Sequence, residues 1–142
     1  MARDTLDTLL RLRRLEVRQQ MRALAAAMRA EEQACGTRDT WAATIVREAA
    51  EARTLAEGDA ALAGFVPWRT RATQTLRDAE AQAVAAGEAT QAARVALGEA
   101  RGAIRAVELA IERRQVEVDL AGQRTAQHAL EDAARRPGGA TR

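Results

Sequence analysis

The chain has no lysine and no tyrosine, one cysteine, one histidine, two prolines and three aromatic rings in 142 residues. Each scarcity excludes something. A single cysteine, Cys35, builds neither a disulfide framework nor a zinc cluster. No basic partner is suggested for its thiol, so it reads as a small buried hydrophobe in a reducing compartment. His128 stands without Cys, Asp and Glu at metal-ligand spacing, so no metal or cofactor is expected. Hydrophobic residues make up 47% of the chain, but alanine supplies much of that and buries little area. With so few rings, a thick aromatic core is not available. No run approaches the ~20 apolar residues of a membrane span. Residues 1–20 carry charges throughout, without the apolar stretch of a signal peptide. Glycine-rich phosphate loops are missing too. The pair Gly98 and Gly102 has small-residue spacing, but in a charged helix it reads as a place for close approach, not a membrane dimer motif.

What is present is helical. Charged residues reach 30%, and a chain rich in Ala, Glu, Arg and Leu reads as long helix or coiled coil. Residues 5–57 contain no proline and one glycine, Gly36, and Asp4 is placed to cap them. One apolar row is Leu10, Val17, Leu24, then Glu31 and Arg38 as breaks, then Ile45 and Ala52. A second is Met21, Met28, Cys35, Ala42, Ala49 and Ala56. Together they form an a/d seam, weakest around Gly36, where a kink is conceivable. A second helix, about 68–135, carries Leu76, Ala83, Thr90, Leu97, Ile104, Ile111, Val118 and Thr125 in one row. Ala79, Ala86, Ala93, Ala100, Val107, Arg114, Ala121 and His128 form the other. The Arg136-Pro137-Gly138-Gly139 run ends it and leaves a loose tail, 136–142.

Between the helices, residues 58–67 read as a bend. Gly58 can end a helix in the left-handed conformation, Asp59 can cap a short turn, and Pro67 suits the first position of a new helix. So short a connection makes the helices antiparallel neighbours. The expected fold is all-α: one domain, a long two-helix antiparallel coiled-coil hairpin. Folding about Leu62 would set Leu24 opposite roughly Ala100 and Leu10 near Arg114. The last turns of helix two, from about Val118, would run past Asp4. Phe65 and Trp68 fall at the bend. They can seal the last seam layer near Leu55, Leu62 and Leu76, or anchor a partner.

All 22 basic residues are arginine, and 20 acids leave a net charge of +2. A compositional bias explains the arginines, and forked phosphate or carboxylate contacts are the sharper alternative. Residues 1–30 hold seven arginines against Asp4, Asp7 and Glu16. In the hairpin this basic segment would lie near Arg113, Arg114 and Arg124. It reads first as a solvated face partly paired with Glu112, Glu117 and Asp119. Second, it reads as a surface steered toward an acidic protein. Nucleic acid ranks third, because base-stacking rings are missing there and acids are interleaved. The alanine-rich apolar face gives poor lipid anchoring. Acidic pairs such as Glu48 and Glu51 have no cleft in a two-helix hairpin to desolvate them, so an enzyme is not expected.

The opening run Leu6-Asp7-Thr8-Leu9-Leu10-Arg11-Leu12-Arg13-Arg14-Leu15-Glu16-Val17 resembles that of the FliJ family of flagellar export proteins, related in design to YscO-like stalk proteins of type III secretion. The rings before Gln74-Thr75-Leu76-Arg77-Asp78-Ala79 resemble the family's entry into helix two. The charged ending Glu131-Asp132-Ala133-Ala134-Arg135-Arg136 is also similar. The resemblance covers nearly the whole chain in length and layout. It implies a cytoplasmic, non-enzymatic stalk whose open end enters a hexameric export ATPase, while a face early in helix two meets the membrane export gate. Export chaperones are further implied partners. Carried over, Leu6, Leu9, Arg13 and Val17 would contact the ATPase ring. Phe65, Trp68, Leu76 and Ala79 would contact the gate or another partner, although Leu76 and Ala79 also fall in the seam. Two other readings remain beside this one: a basic coiled coil that binds nucleic acid, and a self-associating scaffold.

Overall fold

The structure, a computed structural model, describes residues 2–55 and 59–136, with side chains described for 4–55 and 63–136. It is a two-helix antiparallel hairpin with a bend, and the described residues contain no strand. Helix α1 is Ala2–Thr54 and helix α2 is Asp59–Arg135. Strong helix formers explain their length. Several threonines are accommodated by donating their hydroxyls to the carbonyl four residues back: Thr8 to Asp4, Thr40 to Gly36, Thr90 to Ala86 and Thr125 to Ala121.

Several sequence expectations need correction. Helix α1 begins before Asp4, which lies in its first turn and favours the helix dipole there instead of capping. The helix ends at Thr54, with the Leu55 N–H donating to the Glu51 carbonyl. It runs unbroken through Gly36. The bend is shorter than 58–67, because α2 begins at Asp59 and continues through Pro67. Proline has no N–H, so the Ala63 carbonyl loses its helical donor at that point. Gly58 and the side chains of Ala56, Asp59 and Leu62 lie outside what is described, as does the tail from Pro137.

The chain forms two compact units, each built from both helices. One is Val17–Glu99 and the other combines Met1–Glu16 with Ala100–Arg142. In the Val17–Glu99 unit the core is thin. Ala72, Ala79, Ala83 and Leu97 are buried, and Thr90, at 1% exposure, is the one fully buried side chain among those described. Alanine at these positions permits close helix approach. The α2 rows fall as the heptads require, with Leu76, Ala86 and Ala93 half-buried between them. On α1, the row of Val17, Leu24, Glu31, Arg38, Ile45 and Ala52 is half-buried as expected. The second row departs at its start, where Met21 and Met28 are 50% and 48% exposed, while its later members Cys35, Ala42 and Ala49 are half-buried as expected. Gln20, Ala27, Ala34, Trp41 and Glu48, one residue earlier, are half-buried as well. A two-helix seam is narrow and open at its edges, so long polar side chains can lie over it with their heads in water.

The register also differs. A Cβ placed on Gly87 would lie 3.4 Å from the Glu31 carboxylate, and Glu80 contributes to the field at Arg38. Folding about Leu62 would have set Glu31 beside Ala93. The earlier reversal, between Thr54 and Asp59, accounts for the shift.

In the other unit, Ala100 and Val107 are buried, and Leu6, Leu9, Leu10, Arg13, Ile104 and Ile111 are half-buried. Beyond Ile111 the seam stops. Every residue from Glu112 to Arg136 is exposed. The uncovered part of α2 therefore begins before Val118, because α1 has 53 residues and α2 has 77.

Candidate interaction surfaces

Three surfaces gather the features that a binding partner could use. The first is the start of α1. Leu6, Leu9, Arg13 and Val17 are all half-buried. Leu6, Arg13 and Val17 fall on seam positions, and the Arg13 guanidinium reaches Glu16 at 2.8 Å. The side chains open to a partner there are Leu12 and Leu15, at 57% and 52% exposure. Asp4, Thr5, Thr8, Leu9 and Leu12 line a mostly apolar recess.

The second surface is the end of α2. At 100° per residue, Val116, Leu120, Leu130 and Ala134 share one face of the uncovered helix, and all are exposed. The expected neutralisation of the nearby arginines does not occur. Glu112 and Glu108 are each 3.4 Å from Arg105, and Asp119 accepts from Gln115 at 2.9 Å. Among the described residues Arg113, Arg114 and Arg124 form no ion pair. Their guanidinium charges are therefore uncompensated at close range. His128 stands 3.8 Å from Glu131 on the exposed helix.

The third lies near the bend. Phe65 and Trp68 stack with ring centroids 5.7 Å apart and planes at 27°. Both are half-buried. With Gly64 they form one wall of an open recess, and Glu48, Glu51, Ala52 and Leu55 of α1 form the other. Leu76 is half-buried. Ala79, at 5% exposure, is packed into the seam, so a partner cannot touch it while the hairpin is closed. Next in sequence, Arg69, Arg71 and Arg77 line a separate recess with Thr70, Thr73 and Gln74.

Cys35 is a free, half-buried thiol. Among the described residues no group of His, Cys, Asp and Glu could hold a metal. No described helix is long and apolar enough to cross a membrane. Arg38 is held above its ordinary pKa by a hydrogen bond and the charge of Asp39, which only reinforces a cation that is always charged.

Sequence reasoning found the rings and the basic segments. It missed the exposure of Leu12 and Leu15 and the full extent of uncovered α2. Starting α2 at Asp59, where the structure begins it, would have revealed the second from helix lengths alone. Models of known protein families, curated proteins and solved structures give no match to this chain.

Proposed function

We propose that this protein is a non-enzymatic stalk of a flagellar-type protein export apparatus, coupling a hexameric export ATPase to a membrane export gate from the cytoplasmic side. One observation carries the reading. From Glu112 to Arg135 a helix continues with every residue exposed, in the same compact unit as the start of α1. A helix that buries nothing along this length gains no stability from packing there, so its order is better accounted for by a partner than by the hairpin itself. Uncompensated arginines and exposed Leu12, Leu15, Leu120 and Leu130 fit insertion into a ring whose lining offers acids and small apolar pockets. The resemblance in layout to the FliJ family supplies the identity of that partner.

Co-purification of the tagged full chain from its own cells tests this. Wild type is expected to bring down a hexameric ATPase, and Leu12→Asp with Leu15→Asp to lose it while retaining helicity. Recovery of the same ATPase by both would defeat the reading.

A self-associating scaffold is the second reading, favoured by exposed Met21 and Met28 seven residues apart on α1. It requires a mass that rises with concentration in sedimentation, and a fall in that mass on Met21→Glu with Met28→Glu.

A further inference from the structure

The recess near the bend combines features that a seal over the seam does not need. Two stacked rings, Phe65 and Trp68, stand on α2. Facing them, α1 presents Glu48 and Glu51, which share a helix face, with Ala52 and Leu55 below. Sealing a seam end calls for apolar groups opposite the rings. Here the opposing wall holds two carboxylates beside Ala52 and Leu55.

Those carboxylates have little internal compensation. Glu48 meets only the exposed guanidinium of its neighbour Arg47, at 3.5 Å, a contact of the kind that contributes little. Glu51 forms no ion pair among the described residues. Its main-chain carbonyl is occupied by Leu55 N–H and the Thr54 hydroxyl, which leaves the side chain out of both bonds. An apolar side chain entering the recess would strip water from the unpaired Glu51 carboxylate and from the weakly paired Glu48. A cation would meet the negative faces of the rings and the carboxylates together. Guanidinium suits it better than ammonium, because it is planar, stacks on rings and reaches a carboxylate through a fork.

We propose that this recess receives an arginine side chain from a basic segment of a partner protein. The inference does not depend on the export reading, and it assigns the bend its own partner chemistry. Phe65 and Trp68 supply the stacking surface, Glu51 the principal anion, and Glu48 the second.

The two tryptophans make the test direct. In the 15N-labelled full chain, the indole N–H resonances of Trp41 and Trp68 are followed during titration with a glycine-flanked peptide carrying one arginine. A peptide with glutamine in its place is the control. The expected result is a saturable shift of Trp68 with the arginine peptide, no comparable shift of Trp41, and none of either with the control. Glu48→Gln with Glu51→Gln is expected to weaken binding by roughly tenfold, as lost charge and stacking synergy at an exposed site imply. The Trp41 resonance and the far-UV spectrum report that the variant remains folded. An unmoved Trp68, an equal response to the glutamine peptide, or undiminished binding by the folded double variant would overturn the proposal. Should the double variant unfold, the wild-type comparison of the two peptides decides alone.

Discussion

Leu97 and Thr90 show how little holds the seam together. Leu97 is the largest buried aliphatic side chain in its unit, at 7% exposure, among buried alanines. Truncation to Ala should cost about 2–4 kcal/mol, a large fraction of the stability of a domain with so thin a core. Urea unfolding followed by circular dichroism should show the midpoint falling steeply. Thr90 is different. Its hydroxyl bonds only to the Ala86 carbonyl of its own helix, at 3.1 Å. Thr90→Val keeps the shape and removes a buried polar atom, so the unfolding free energy should hold or rise by up to ~1 kcal/mol. At this scale the sequence was readable where hydrophobicity and position agreed. Every α2 row member from Leu76 to Ile111 is at least half-buried. It misled on α1, where Met21 and Met28 looked better seam residues than Gln20 and Ala27. Hydrophobicity favours methionine, but the seam is defined by the steps of three and four from Leu10 and Val17, and the edge of a two-helix seam tolerates glutamine.

For the helices as elements, Pro67 was the main source of error. It reads as a helix start, and the structure carries α2 through it from Asp59. A proline in a helix interior costs ~3 kcal/mol relative to alanine, so Pro67→Ala should raise the melting temperature and leave helicity no lower. If Pro67→Ala lowers the melting temperature, the eight residues before Pro67 are not part of α2. Gly87→Ala makes a gentler check on register. The added methyl would meet Glu31 at an ordinary contact distance, and relief of glycine's entropy should stabilise by about 0.5–1 kcal/mol. A clash in that variant would mean that Glu31 and Gly87 are not opposed. The uncovered end of α2 gives the third test. Since no residue from Glu112 to Arg136 is buried, ending the chain at Arg114 should leave the melting transition of the remainder unchanged. In the intact chain its amides should exchange fastest among the helical residues.

On the scale of the whole molecule, the hairpin and its antiparallel pairing were legible, because two long heptad-patterned segments joined by a short connection leave few alternatives. For function the sequence offered only a resemblance in layout, which carries a proposal, because the seam of a coiled coil records how two helices meet and not what they meet next. What the structure adds is an inventory of unsatisfied surface. Val116, Leu120 and Leu130 exposed on the end of α2, the exposed Leu12 and Leu15, and an aromatic recess walled by carboxylates are surfaces that a partner could cover. The most direct measurement is photo-cross-linking in the cell of origin from a reactive residue at Leu130, with Val46, 71% exposed, as the control position. The expected result is a covalent adduct of an export ATPase subunit from Leu130 and none from Val46. Adducts of Leu130 only with a second copy of the chain, or the same adducts from both positions, would contradict the stalk reading.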